Sequence, residues 1–194
     1  MDIDKILYEF QQKKDPTKEK RELLLYSAIL LFLLYILLIV NTLILTNVYV
    51  IGDSMKPTLH TGDVLYINML TNPTYGDIIV INVEDGKDPY IKRVIGLEGD
   101  TVQCVKIDGE NVLQIMYKGT SDYINLDSSY TFSETPIFNA ITVGINEVFF
   151  LGDNRNNSED STELGCRSLD RIVGVVTKWS LKHKVFLTKL ANLI

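Results

Sequence analysis

Imidazole, thiol and indole groups are scarce: two histidines, two cysteines and one tryptophan in 194 residues. Cys104 and Cys166 stand apart from His60 and His183, so no cluster has metal-ligand spacing, and the carboxylates are scattered over turns where they are normally solvated. No metal and no cofactor is expected. Neither histidine is placed to act as a catalytic base, since His60 lies on a loop-to-strand passage and His183 in the terminal segment. Positive charge is also in the minority, 19 Lys and Arg against 25 Asp and Glu, for a net charge of −6. Residues 1 to 45 offer neither a helix-turn-helix pattern nor a soluble domain, and no nucleic-acid partner is expected.

Charge is missing altogether from one stretch. Residues 23 to 40 are uncharged and mostly Leu and Ile, and no charge returns before Asp53. This run explains how a chain with a pI near 4.9 has a mean hydropathy of +0.10. A helix over residues 23 to 45 rises about 34 Å, enough for a hydrocarbon core of about 30 Å. The competing reading, a buried helix, asks too much of so small an interior. A cleavable targeting peptide would have an apolar region of about 7 to 15 residues and a small-residue cleavage site. Here the run is longer and is followed by Asn41-Thr42-Leu43-Ile44-Leu45, so a retained single-pass signal-anchor is expected in the cell membrane.

Lys13, Lys14, Lys18, Lys20 and Arg21 precede the run, and the first positive residue beyond it is Lys56. The positive-inside rule then predicts a cytoplasmic tail over 1 to 22, which can form a short surface helix over 2 to 12, and an extracytoplasmic domain over 46 to 194.

Past the anchor, Val48-Tyr49-Val50-Ile51 and the runs 63 to 67, 77 to 83 and 89 to 95 are β-rich, separated by Thr61-Gly62, Tyr75-Gly76 and a polar loop at 84 to 88. Asp108-Gly109 is a hairpin signal inside residues 101 to 117. Residues 147 to 151 and 170 to 176 resume the core after a polar insertion at about 118 to 140. The predicted fold is all-β, antiparallel sheets in one compact domain preceded by one transmembrane helix. Residues 179 to 194 are basic and apolar, too short for a second span and suited to an amphipathic helix on the bilayer surface. Cys104 and Cys166 fall where a disulfide is permitted, though their spacing does not demand one.

A peptide-bond hydrolase needs an activated nucleophile, a proton acceptor and donors for the developing oxyanion. Lysine can replace histidine if an apolar setting lowers its pKa from about 10.4 toward neutrality. Lys92 is the lysine flanked most plainly by strand residues, in Tyr90-Ile91-Lys92-Arg93-Val94-Ile95. Alternation puts Tyr90, Lys92 and Val94 on one face and Ile91, Arg93 and Ile95 on the other, so one cation is expected to face inward. A lone strand lysine is more often a solvated edge charge, and a lone Ser54 more often a turn serine. The two together carry the weight. Pro57 stiffens the serine loop, and Met55 can cover a lysine head with apolar atoms. Gly152-Asp153-Asn154-Arg155-Asn156-Asn157 reads as a polar turn in which Arg155 organises loop hydrogen bonds.

Four stretches together resemble the boxes of bacterial type I signal peptidases of the Gram-positive kind. Gly52-Asp53-Ser54-Met55-Lys56-Pro57-Thr58-Leu59 is similar to their serine box, Gly76-Asp77-Ile78-Ile79-Val80 to a core strand, Tyr90 to Asp100 to the lysine box, and Gly152 to Ser161 to the last box. The resemblance spans about residues 23 to 178. It implies a Ser-Lys peptidase domain in which Ser54 attacks the carbonyl before the cleavage site of a secretory preprotein and Lys92 is the general base. Ser158 would hold the lysine amine and Asp160 would brace the last box. Pockets lined by Val48, Val50, Ile51, Met55, Leu59, Leu65, Tyr90 and Ile91 would take small side chains one and three residues before the cut, as in an Ala-x-Ala site.

Membrane lipid and proximity to the secretion channel are the further partners it implies. This chain has Gly52 where many members carry a hydroxyl for the oxyanion hole, Glu98 where a proline is usual, and Thr162 where an arginine is usual. A salt bridge to Asp160 would therefore need Arg155, Arg167 or Arg171. Two other readings stay open from sequence: an idle membrane protein of the same fold that assists surface-protein assembly, and a self-cleaving Ser-Lys repressor.

Overall fold

The computed structural model describes Ile3 and residues 16 to 192, so the helix expected over residues 2 to 12 lies, but for Ile3, outside the described residues. The chain divides into two compact units at Ile44 and Leu45, one residue before the boundary read from sequence.

The first unit contains helix α1, Pro16–Ile44. It starts earlier than the apolar run because Pro16 presets the backbone of a first helical turn and Glu19 suits the positive end of its dipole. Within the segment Thr17–Val40 a stretch of 18 residues has a mean hydropathy of 3.0 and none of that stretch is buried against protein, the pattern of a helix long and apolar enough to cross a membrane.

The second unit is built from strands β1 (Leu45–Tyr49), β2 (Val64–Asn68), β3 (Ile78–Ile81), β4 (Tyr90–Leu97), β5 (Thr101–Ile107), β6 (Glu110–Met116), β7 (Ile124–Asn125), β8 (Phe138–Thr142), β9 (Glu147–Leu151), β10 (Arg167–Ser168) and β11 (Ile172–Val176). They form a seven-stranded sheet, β1-β2-β11-β3-β4-β9-β10, and a four-stranded sheet, β7-β6-β5-β8, and every pairing is antiparallel. The all-β expectation is met.

The first strand sits earlier than the sequence suggests. It starts directly at the end of α1 and pairs from Leu45↔Asn68 to Tyr49↔Val64. Val50 still bonds to Asp63 and Gly62, after which the chain leaves the sheet and Ile51 is 83% exposed. Because β1 closes one side of the sheet, its outer edge has no strand partner among the described residues.

Apolar side chains of β2 and β3, including Leu65, Ile67, Ile78 and Val80, pack with Val50, Met55 and Leu59 in one cluster. A second joins Val102, Cys104, Leu113 and Ile115 to Phe149 and Leu151, so the smaller sheet is tied to β9. Strand alternation in β4 holds through Val94 and then breaks, with Val94, Ile95 and Gly96 all buried, because its pairing with β9 shifts register there.

The polar insertion is woven into the smaller sheet, where β7 pairs with β6 and β8 with β5. Both cysteines are free thiols, and the buried Cys104 Sγ donates to the Thr135 carbonyl at 3.3 Å. A short helix α2 (Ser161–Leu164) follows the last box, and α3 (Lys178–Ala191) ends the described chain. Part of α3 docks on the protein: Leu187 and Ser180 are buried, and Thr188 Oγ1 accepts from the Val64 N–H at 3.0 Å.

Candidate active site

Lys92 projects from β4 into the interior and is 3% exposed. Its Nζ lies 2.8 Å from Ser54 Oγ. Burial drives its pKa down from 10.5 to about 8, against the opposing pull of Asp160, Glu159 and Asp153. An amine with that pKa is partly neutral near physiological pH and can accept a hydroxyl proton.

The serine loop is held by its neighbours. Asn154 N–H donates to the Ser54 carbonyl at 2.9 Å and Asn154 Nδ2 to the Asp53 carbonyl at 3.1 Å. Thr61 Oγ1 donates to the Gly52 carbonyl at 3.0 Å. Gly52 has φ +89, a value that favours glycine, which explains a residue without a side-chain hydroxyl at this position. Among the described residues the Ser54 N–H donates to no protein acceptor, and so remains available to an oxyanion.

Gly152 is required for a different reason. A Cβ there would lie 2.2 Å from Ser158 Oγ and 2.6 Å from the Ser54 carbonyl oxygen, so the last box approaches the serine loop at a distance only glycine allows.

On the far face of β4, Arg93 forks onto Asp153, with Nε to Oδ1 at 2.8 Å and Nη2 to Oδ2 at 2.6 Å. Asp153 is fully buried and also accepts from Thr58 Oγ1. The two cations of the strand thus have opposite assignments: Lys92 is desolvated without an ion pair, and Arg93 locks the last box to the strand. Arg93 stacks on the Tyr130 ring at 4.5 Å, while Arg155 reaches the Gly152 carbonyl at 3.0 Å, Thr135 and the Tyr130 hydroxyl. Tyr130 and Thr135 belong to the polar insertion, which therefore braces the site.

Three expectations change. Ser158 Oγ is buried and makes no hydrogen bond, so the bond expected from it to the Lys92 amine is not formed. Asp160 has no arginine partner: Arg155 is engaged as above, Arg167 bonds to the Leu164 and Cys166 carbonyls, and Arg171 pairs with Asp85. Asp160 instead caps α2 and accepts from the Gly152 N–H at 3.1 Å and from the Thr162 N–H and hydroxyl at 3.2 and 2.8 Å, so Thr162 supplies neutral donors in place of a cation. Leu59 and Leu65 do not line the cleft. They are fully buried beneath it, since Leu59 closes a turn back onto Met55 and Leu65 faces the interior of β2.

The cleft, a cavity of about 520 Å³, is lined by the other six expected residues, Val48, Val50, Ile51, Met55, Tyr90 and Ile91, together with Gly52, Ser54 and Lys92. Sequence reasoning missed Asn47, Tyr49, Val80, Asp88, Pro89 and Glu159 in its wall. Pro89 adjoins Tyr90, and Glu159 adjoins Ser158 in the last box, so proximity in sequence was the available signal. Glu159 is held by the Tyr90 hydroxyl at 2.7 Å, which closes the cleft wall beside Lys92. No group of three or more metal-ligating side chains occurs among the described residues.

Comparison with known proteins gives the same answer from outside the geometry. The family described as signal peptidase, peptidase S26, matches residues 22–180. The chain is 33% identical to signal peptidase I P of Bacillus subtilis subsp. natto over 170 residues, covering 81% of this chain and 90% of that protein. It is 39% identical to signal peptidase I T of Bacillus subtilis over 133 residues, covering 63% of this chain and 67% of that one. A crystal structure of a signal peptidase I from Enterococcus faecalis is 27% identical, with 55% of this chain and 98% of that chain covered at a TM-score of 0.43. A buried lysine against a loop serine, behind an apolar helix and in a chain with these relatives, has one consistent identity: the protein belongs to the signal peptidase family and is a membrane-anchored serine endopeptidase that removes signal peptides by a Ser-Lys mechanism.

Proposed function

We propose that Ser54 is the nucleophile and Lys92 the general base of this peptidase. The contact of 2.8 Å between Lys92 Nζ and Ser54 Oγ, inside a largely apolar cleft, carries the reading. Neutral Lys92 takes the Ser54 proton as Oγ attacks the scissile carbonyl, and the oxyanion falls to the Ser54 N–H with the Gly52 N–H or a water beside it. The lysine ammonium then protonates the departing amine, leaving the signal peptide as an ester on Ser54. A water deprotonated by Lys92 hydrolyses that ester. Gly52, Arg155 and Asp160 act through the loops they hold rather than on the substrate.

The preprotein lies extended along the open edge of β1, where main-chain bonds give affinity and alternate side chains give selection. Val48, Val50, Ile51, Met55, Tyr90 and Ile91 accept small residues one and three positions before the cut. The excess of Lys and Arg before α1 supports a cytoplasmic side for residues 1 to 22 and an extracytoplasmic side for the domain from about residue 46. A cleft attached so closely to an anchor suits a chain emerging beside the secretion channel.

The test is kcat/KM on one labelled preprotein in detergent. Ser54→Ala, Lys92→Ala and Lys92→Arg are each expected to lose activity by a factor of at least about 1000, because guanidinium keeps its proton and no histidine replaces the base. Lys87→Ala, at a surface pair with Glu84, keeps parental activity. A folded Lys92→Ala enzyme that cleaves as fast as the parent would remove Lys92 from the mechanism.

A further inference from the structure

The terminal helix α3 has two faces of different character. Its inner face docks: Thr177 N–H and Ser180 Oγ donate to the Tyr66 carbonyl at 2.9 and 3.1 Å, Leu187 is buried, and Lys184 pairs with Asp63 at 3.3 Å. Its outer face is open. Trp179 is 56% exposed, Val185 62%, Phe186 61% and Leu190 47%. Lys178, Lys182 and Lys189 are exposed between them, although the backbone leaves helical values at His183.

The helix contains no carboxylate, in a chain whose net charge is −6. Nothing in the catalytic cleft uses any of these side chains.

We propose that this outer face seats on an anionic lipid bilayer, with Trp179 and Phe186 in the headgroup boundary and Lys178, Lys182 and Lys189 against lipid phosphates. Two observations select lipid over a protein partner. Aromatic and aliphatic side chains interleaved with lysines, without acids, are the composition that an interface between hydrocarbon and anionic headgroups rewards. The connectivity also brings the right end of the helix to the right place. Tyr66, which holds the Trp179 end, pairs with Asn47, two residues beyond Leu45, and Leu45 directly follows the apolar helix α1. A surface within a few residues of a membrane-crossing segment meets lipid at very high effective concentration, so weak interfacial binding suffices.

Seating α3 would restrain the rotation of the catalytic unit about its tether.

Trp179 is the single tryptophan of the chain, so emission excited selectively in the indole band, beyond tyrosine absorption, reports on this face alone. The full chain is reconstituted in vesicles of phosphatidylcholine and phosphatidylglycerol, with and without bromine on the acyl chains. The expected result is a blue-shifted emission and loss of roughly half the intensity to bromolipid, since bromine quenches only tryptophans near the acyl region. Lys178→Gln/Lys182→Gln/Lys189→Gln in one chain, and separately Phe186→Ser, should each reduce that quenching. Both variants should cleave a short soluble Ala-x-Ala peptide at the parental rate, which reports folding and the catalytic pair separately from lipid contact. Unshifted emission with no bromolipid quenching overturns the proposal, and equal quenching in vesicles of phosphatidylcholine alone overturns the part assigned to the lysines.

Discussion

As the proposed general base, Lys92 makes activity respond to pH below about pH 8 and stability respond above it, and both responses can be measured. Its pKa of about 8 in the folded protein, against 10.5 when unburied, means that the amine is neutral in about half of the molecules at pH 8 and about 1% at pH 6. kcat/KM should therefore rise about tenfold per pH unit below pH 7, gain about 50-fold between pH 6 and 8, and level off above pH 9. Without burial, about 0.3% of the amine would be neutral at pH 8, so desolvation multiplies the reactive fraction by about 150.

The same shift costs stability. Between pH 8 and 10.5 the unfolded chain binds the lysine proton and the folded chain does not, so stability rises with pH across that window. Below pH 8 the penalty is fully present, at about 3 kcal/mol. Lys92→Met fills the site with an apolar side chain of similar length and should abolish cleavage while raising the midpoint of thermal unfolding at pH 7, with the gain vanishing toward pH 11. The assays are initial rates on a peptide without titratable groups and thermal unfolding followed by circular dichroism, both from pH 6 to 11. A pH-independent kcat/KM between 6 and 8, or a Lys92→Met protein less stable than the parent at pH 7, would refute the desolvated-base argument.

Gly152→Ala should lose activity even where it folds, because a Cβ at 2.2 Å from Ser158 Oγ and 2.6 Å from the Ser54 carbonyl has to push the serine loop away; parental kcat/KM would show that this approach is not needed. Asp153→Asn breaks the fork to Arg93 and leaves a cation with one poor partner, an expected loss of about 3 to 5 kcal/mol in denaturant unfolding. Preproteins with Phe one or three residues before the cut should not be processed, and efficient cleavage of both at the original bond would contradict the pocket assignment. A reporter that is active only in the cytoplasm, fused after Ile194, should be silent, whereas activity would reverse the topology.

Local chemistry explains what could be read from sequence alone. The charge-free run and the β-rich segments with their glycine turns are contiguous, so periodicity and residue type are enough to place them, whereas the serine and lysine boxes are placed by their resemblance to those of the family. The alternation of β4 was sufficient to say that one of two adjacent cations is internal. It could not say that Arg93 would find Asp153, sixty positions away, and leave Lys92 desolvated and unpaired. Leu59 and Leu65, which the resemblance assigns to the pockets, lie under the cleft, and their apolarity does not distinguish a pocket wall from the layer supporting it. The neutral capping of Asp160 by Thr162 was hidden for a similar reason: a missing arginine suggested a substitute cation, and the fold answers with backbone and hydroxyl donors.

Ser54 is the tenth residue after Ile44, where the helix ends and the first strand begins at the next residue. A ten-residue chain reaches at most about 35 Å even when fully extended. Part of that length is spent in β1, so the proposed nucleophile works within a short reach of the helix end, a limit set by the backbone. A preprotein with the correct small residues but its cutting point displaced farther from the bilayer would present them beyond this reach. On the proposed mechanism and topology, the enzyme would choose among many Ala-x-Ala sequences in a secreted chain by measuring height above the membrane, a selection that no side chain in the cleft would have to make.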